Sequence, residues 1–425
     1  MIDIQLIRKE PDTVRAAIHK LGVEAPIDRI LKLDRDRREL LQQVEGLRQQ
    51  RNETSEQIGR MVEGADRQAS IERMRGVNDQ IGELEQRLRW LEAELEAALY
   101  QVPNLPHESV PVGAGENENQ VLREEGQRRE FGFSPLPHWE LGPQLGILDF
   151  ERGVKLSGSR FYILKGAGAR LQRALIAWML DLHVAQHGYT EIYPPALVKE
   201  ACMWGAGQLP KFAENIYRDA EEDLWLIGTA EIPLTNLHRD EILELDQLPL
   251  GYVAYTPCFR REKFSAGRDV RGIKRGHQFD KVEMYKFCRP EDSVEEFEAM
   301  VADAEATCQA LGLPYRLLLK AAGDMSEAAH IGYDIEVWAA GCGEWLEVSS
   351  ISRVGDYQAR RAAIKYRPKE EKGTRFVHTI NGSGLGLPRT LIAVLENNQQ
   401  ADGSVRIPEV LLPWMGGVDT IAAES

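Results

Sequence analysis

Cysteine is sparse and scattered in this chain: five residues, Cys202, Cys258, Cys288, Cys308 and Cys342, among 425. An odd set without a C-x-x-C pair excludes a disulfide framework and a structural zinc site, and no histidine pair is expected to serve a metal. Any metal is therefore expected to arrive with a phosphate substrate. Long apolar runs are also missing, and the opening MIDIQLIRKEPDTV carries no apolar signal core. Neither a membrane span nor a secretory leader is read here, so the expected location is the cytoplasm. Positive charge is in deficit, with 52 Lys+Arg against 67 Asp+Glu and a net charge of −15. That excludes nucleic-acid binding driven by bulk potential, and no DNA partner is expected; local basic surfaces for RNA stay open. Neither G-x-x-x-x-G-K-[ST] nor a strand-borne G-x-G-x-x-G occurs, which argues against P-loop and Rossmann nucleotide sites.

What is present begins with a helical pattern. Leu33, Leu40, Val44, Leu47, Arg51, Thr54, Ile58 and Met61 follow heptad-like spacing. After a polar break around 63–70, Met74, Val77, Ile81, Leu84, Leu88, Leu91, Leu95 and Ala98 alternate three and four. Such seams bury an a/d stripe between two helices, and Gly64 in the break permits a reversal. The spacing predicts a long antiparallel hairpin over 31–100. Off the seam stand Arg48, Arg60, Arg67, Arg73 and Arg75. Interspersed Glu residues fit a solvated face, and guanidiniums at these positions also suit RNA phosphates.

Residues 101–120 are rich in Pro, Gly, Asn and Glu and read as a linker. Beyond it, helices are predicted over 168–187, 293–312 and 388–399. Strands are predicted over 189–198, 224–227, 252–259, 277–287, 333–339, 344–352 and 375–380. Hairpin-paired strands with separately packed helices imply an α+β fold on a mostly antiparallel sheet.

Two β-capable arms flank a loop rich in Gly, Arg and Lys at 259–283. The first arm carries Phe259, Arg260 and Glu262, and the second carries Arg275, Phe279 and Glu283. Four-residue spacing in an extended strand would put Arg275, Phe279 and Glu283 on one face. A guanidinium for a phosphate, an aromatic face for a base and carboxylates for an amine or hydroxyl are thus expected together.

This unit resembles motif 2 of class II aminoacyl-tRNA synthetases. With T-A-E-I-P-L-T (229–235), Y-D-I-E-V-W (333–338), E-V-S-S (347–350), Q-A-R-R (358–361) and N-G-S-G-L-G-L-P-R-T-L-I-A-V-L-E-N (381–397), nearly the whole chain is similar to bacterial seryl-tRNA synthetases. The resemblance implies a tRNA-binding helical arm domain over 1–110 and a class II catalytic domain over 111–425. It implies activation of L-serine with ATP and Mg²⁺, without zinc, and transfer to tRNA(Ser), with tRNA(Sec) open as a second acceptor. It also implies a homodimer, built partly on 168–195, with tRNA bridging the subunits.

The resemblance gives residues roles. Arg260, Glu283 and Arg389 would do the catalytic work, with Arg260 on the α-phosphate and Arg389 stacking on the adenine or holding the γ-phosphate. ATP would also meet Arg261, Glu262, Phe279, Glu347, Val348, Ser349 and Ser350. Glu262 would accept from the adenine amino group while Phe279 stacks on the ring, and Glu347 with Ser350 would hold Mg²⁺. Thr229, Ala230, Glu231, Glu283 and Ser383 would surround serine. A site that bonds the substrate hydroxyl rejects alanine strongly, because losing it strands buried polar groups. The tRNA would meet Lys263, Arg268 and Arg271 in the motif 2 loop and Arg48, Arg60, Arg67, Arg73 and Arg75 on the arm.

The chain departs from the family pattern at Ile331, where lysine is common, at Arg353–Val354, where Asn and Phe are usual, and at Leu387–Pro388, where Val–Gly is common. A divergent paralogue is therefore an open alternative: a resistance variant, a carrier-protein ligase or a non-catalytic RNA-binding protein.

Overall fold

The computed structural model describes residues 1–263, 271–369 and 372–423. It comprises two compact units, one of residues 2–19 with 23–103, the other of Met1, 20–22 and 104–425.

In the first unit two helices pair over most of their length, α1 (Ile27–Arg60) and α2 (Ala65–Leu99). The buried residues of the heptad seam are Leu33, Leu40 and Val44 on one helix and Met74, Ile81, Leu91, Leu95 and Ala98 on the other. Leu47, Val77, Leu84 and Leu88 are half-buried, as are the polar seam residues Arg51 and Thr54, whereas Met61 lies exposed beyond the helix end. Helices of 34 and 35 residues extend about 50 Å. The turn is shorter than predicted, because helix resumes at Ala65 within the polar break. Arg8 clamps buried Asp34 with two hydrogen bonds of 2.9 and 2.8 Å, fixing the chain before α1.

The second unit is built on eight strands: β1 (Gln120–Glu125), β2 (Thr190–Glu191), β3 (Leu250–Phe259), β4 (Gln278–Cys288), β5 (Tyr315–Leu319), β6 (Ile331–Ala339), β7 (Glu344–Gly355) and β8 (His378–Gly386). They lie in the order β1-β5-β6-β7-β8-β4-β3-β2, antiparallel throughout except for the β2–β3 edge. Four helices matter to the site: α3 (Gly166–Ala185), α4 (Glu231–Asn236), α5 (Ser293–Ala310) and α6 (Leu387–Asn397). Leu171, Leu175 and Met179 of α3, Phe297 and Met300 of α5, and Leu391 and Leu395 of α6 pack on Val253, Val282, Met284, Ile351 and Ile380 of the sheet. That cluster covers one face; on the other, Ala254, Tyr285 and Phe287 join a second apolar cluster and the polar site residues lie beside it.

Two strand expectations need correction. The run 189–198 gives only β2 and a short strand at Leu197–Val198, since Pro194–Pro195 removes backbone donors that a ladder needs. The run 375–380 divides into Arg375–Phe376 and β8, which continues through the glycines of 382–386. Pro388 sits in the first turn of α6, where its missing N–H is harmless. Ile331 and Arg353 face each other across β6 and β7, so two departures from the family pattern are one cross-strand pair.

Candidate active site

The period-two alternation of β4 builds the centre of the site. Val282 and Met284 enter the helix-covered core, so Phe279, Lys281 and Glu283 project from the opposite face. Lys281 is a residue that motif reading passed over, though the same alternation places it between its two neighbours. Thr229 Oγ1 donates to Glu283 Oε2 at 2.7 Å, Lys281 Nζ lies 3.1 Å from Thr229 Oγ1, and Lys281 forms an ion pair with Glu283. Ser383 of β8 stands directly opposite Glu283 in the register. Glu231, first residue of α4, accepts at Oε1 from Gln358 Nε2 at 2.6 Å and from Asn381 Nδ2 at 3.1 Å. Burial, then the neighbouring Glu283, pushes the Glu231 carboxyl up to about 7. The structure thus brings Thr229, Glu231, Glu283 and Ser383 together. Ala230 is different, since its methyl lies in an apolar cluster with Leu234 and Tyr285.

Beside this lies the motif 2 hairpin. Arg260 Nε donates to the Gly228 carbonyl at 3.0 Å, and its guanidinium carbon stands 5.1 Å from the centre of the Phe279 ring. Glu262 is buried with φ 52° and pairs with Arg275 at 3.1 Å. The expectation that Arg275 shares the strand face of Phe279 is incorrect, because β4 begins at Gln278. Arg275 reaches the site through Glu262 instead. Arg261 turns the other way, donating from Nε to the Ile216 carbonyl at 3.1 Å and lying 4.8 Å over Tyr217. Its side chain therefore braces the 215–217 segment rather than joining Arg260 over Phe279. Lys263 is exposed, Arg271 lies 5.1 Å over Trp139, and Arg268 lies outside the described residues.

The third part of the site depends on a bulge. In a regular strand Glu347 and Ser350, three apart, would face opposite sides. The β6–β7 register runs Ser349 to Ile335 but Glu347 to Glu336, leaving Val348 as an extra residue. The slip sends Leu346, Val348 and Ile351 into the core and turns Glu347 and Ser350 to the same polar face. Val348 thus offers no side chain to the site, and Ser349 Oγ donates to the Ser383 carbonyl at 2.7 Å. Arg389, in the first turn of α6, donates from Nη1 to the Glu347 carbonyl at 2.9 Å and sits 3.6 Å from its carboxylate. Crowding by protein raises the Glu347 carboxyl, and Arg389, Lys320, Arg260 and Arg275 outweigh that to hold it below its usual range. Nearby, buried Lys320 Nζ lies 2.7 Å from Asp334 and 3.1 Å from Asp324. Asp334 faces Ser350 across the ladder, and its Oδ1 is buried with no hydrogen bond of good geometry among the described residues. A carboxylate kept ionised, a hydroxyl beside it and an underbonded buried carboxylate oxygen form the hard oxygen set that Mg²⁺ prefers.

Among the described residues His138, Cys342 and Glu396 form one further cluster of possible metal ligands. Its atoms already satisfy one another, because Glu396 accepts from His138 Nδ1 at 2.8 Å and Cys342 Sγ at 3.1 Å. No described helix is long and apolar enough to cross a membrane. The arm arginines are partly engaged: Arg48 with Glu85 at 2.7 Å, Arg60 with Glu56 at 2.5 Å and Arg73 with Ser70 at 3.1 Å, while Arg75 is exposed and Arg67 half-buried.

Comparison with known proteins finds relatives over nearly the whole chain. Residues 1–106 match the family model "Seryl-tRNA synthetase N-terminal domain", and residues 212–398 match "tRNA synthetase class II core domain (G, H, P, S and T)". The chain is 63% identical over 422 residues to a serine–tRNA ligase of Roseiflexus sp. (strain RS-1), covering 99% of each. It is 54% identical to that of Chloroflexus aurantiacus, covering 99% of this chain and 100% of the relative. Among solved structures it resembles seryl-tRNA synthetase from Pyrococcus horikoshii complexed with ATP, with TM-score 0.93, 37% identity and full coverage of both chains. It also resembles a cytoplasmic serine–tRNA ligase from Naegleria fowleri in complex with AMP, with TM-score 0.88 and 31% identity over 100% of this chain and 99% of that one.

Proposed function

The chain belongs to the seryl-tRNA synthetase family of class II aminoacyl-tRNA synthetases, and we propose that it activates L-serine with ATP and transfers the seryl group to the 3′-terminal adenosine of tRNA(Ser). The observation that carries this reading is the convergence of Arg260, Phe279, Glu283 and Ser383 on one face of the sheet, with Thr229 bound to Glu283. In the first step a serine carboxylate oxygen bonds to the α-phosphorus while the bond to pyrophosphate breaks. Little covalent work falls to the protein, which must align the reactants and neutralise phosphoryl charge. Arg260 is placed to bridge the carboxylate and the α-phosphate, Phe279 to stack on adenine and Glu262 to accept from its amino group. Arg389 supports the opposite end of the nucleotide. Glu283 and Glu231 face the serine ammonium and hydroxyl.

Glu347 and Ser350 would hold Mg²⁺ delivered with ATP, which supplies charge neutralisation on the phosphates. Glu347→Gln is expected to raise the Mg²⁺ concentration for half-maximal exchange by about tenfold. A Mg²⁺ titration of exchange rate decides this, and an unchanged midpoint counts against the assignment.

Serine binding also has a proton signature. Glu231 titrates near neutrality because burial and then Glu283 oppose its charge. An arriving ammonium favours the carboxylate, lowers that pKa and drives the proton off. At pH 7, where serine's own amine is already fully protonated, about half a proton per serine is expected to leave. Calorimetry in buffers of different ionisation enthalpy measures it, and proton uptake would contradict the geometry.

The arm is read as the tRNA-binding unit, with Arg48, Arg60, Arg67, Arg73 and Arg75 meeting phosphates by shape recognition. A homodimer through 168–195 belongs to the same reading, and Tyr193, 91% exposed there, is available for it. Charging of transcribed tRNA(Ser) tests the whole proposal. Exchange without charging would favour a carrier-protein ligase, and absence of both would favour a silent RNA-binding descendant. tRNA(Sec) transcript in the same assay decides the second acceptor.

A further inference from the structure

His183 lies in the last turn of α3 with no solvent exposure. It stands four residues before His187, in an H-x-x-x-H spacing. Its Nδ1 lies 2.9 Å from His187 Nδ1. His187 in turn stands 3.6 Å from Asp303, which accepts from the Tyr189 hydroxyl at 2.9 Å. The other face of the ring meets β8. A Cβ on Gly384 would stand 2.7 Å from His183 Nε2, closer than real Cβ contacts come, so glycine is needed for the ring to seat there. Nε2 is fully shielded and has no hydrogen-bond partner of good geometry among the described residues.

Gly384 is also where the β8–β4 register breaks. Ser383 pairs with Glu283, and the next pair is Leu385 with Val282, so Gly384 is the inserted residue of a bulge. Bulges re-aim side chains beside active sites. Here the residue before the bulge is Ser383, whose carbonyl is pinned by Ser349 Oγ at 2.7 Å. Burial, then His187, pushes the His183 imidazole down to about 3, so the ring is neutral at working pH. A buried polar ring with one committed nitrogen is retained at a cost, and its contact is with the bulge.

We propose that His183 is a positioning residue for serine recognition: its imidazole fills the space behind Gly384 and fixes the bulge that presents Ser383 opposite Glu283. The inference rests on the assignment of Ser383 and Glu283 to the serine pocket. It places the determinant of the pocket's shape on the far side of the sheet, within the helix layer.

The experiment is steady-state ATP–pyrophosphate exchange on wild type, His183→Ala, His183→Gln and Gly384→Ala, varying serine and ATP separately, with Tm recorded for each. His183→Ala empties the space, and the bulge is expected to relax. Serine KM should rise about tenfold, the scale of one misplaced buried hydrogen bond, with ATP KM within twofold of wild type. His183→Gln, which keeps a neutral donor of similar reach, should restore most of the serine KM. Gly384→Ala, which drives a methyl into the ring, should reproduce the His183→Ala split and decides the matter if His183→Ala does not fold. Equal changes in both KM values, or unchanged serine KM in Gly384→Ala, would overturn the inference while leaving the pocket assignment standing. A wild-type protein without serine-dependent exchange would overturn the assignment, and the inference with it.

Discussion

Arg260→Ala is expected to lower serine-dependent ATP–pyrophosphate exchange by roughly 10³-fold or more, with the folded state nearly intact. The size follows from what the guanidinium is asked to do. Removing one preorganised donor from a developing oxyanion costs about 10²–10³ in rate, and a guanidinium on a transferring phosphoryl group is worth about 10³–10⁵. No neighbour can deputise. Arg275 is committed to Glu262 at 3.1 Å, Lys281 to Glu283 and Thr229, and Arg389 to the Glu347 carbonyl at 2.9 Å. The structural loss is small, since Arg260 contributes one stacking contact at 5.1 Å and one side-chain bond to Gly228 at 3.0 Å. Those are worth about 1 kcal/mol each. Arg260→Lys keeps the charge and loses the planar fork, so an intermediate rate is expected. Exchange within a few-fold of wild type in the alanine variant, at unchanged Tm, would remove Arg260 from its assigned place.

Deleting residues 40–92 is expected to separate the two half-reactions. The arm is a compact unit with its own apolar seam, and all the proposed ATP and serine ligands lie in the other unit. Adenylation should therefore stay within about twofold of wild type. Charging of tRNA(Ser) should fall by at least about 10²-fold, because the arginine–phosphate contacts proposed for the arm would vanish together, each with its counterion-release term. The same terms make residual charging less sensitive to salt than in the full chain. Both half-reactions are read on one preparation, by pyrophosphate exchange and by serine attached to tRNA. Equal losses in both would make the arm a structural support for the catalytic unit rather than a tRNA-binding element.

The legible parts of this molecule are those where a period carries the signal. A repeat of three and four in α1 and α2 tells which side chains are buried, and only the turn, where polar residues serve helix and loop equally, was misplaced. Alternation in β4 tells that Phe279 and Glu283 share a face, and it held Lys281 as well. The hidden parts are where the period breaks. The extra residue at Val348 reverses the parity of β7, so Glu347 and Ser350 meet on one face against simple alternation. The bulge at Gly384 does the same in β8, in a glycine-rich stretch beyond the strand predicted over 375–380. Arg261 follows its neighbour in sequence yet points away, because the chain leaves β3 after Phe259 and passes through Glu262 in a left-handed conformation. Lys320 gave no motif at all. Its place beside Asp334 comes from the pairing of β5 with β6, a long-range contact that local pattern does not encode.

The most direct measurement is a crystal structure of the protein with a non-hydrolysable seryl-adenylate analogue. The account expects the adenine stacked on Phe279, the sulfamoyl or phosphoryl group within hydrogen-bond distance of Arg260, and the seryl amine and hydroxyl among Thr229, Glu231, Glu283 and Ser383. An analogue seated anywhere other than this polar sheet face, in a protein that still charges tRNA, would contradict it.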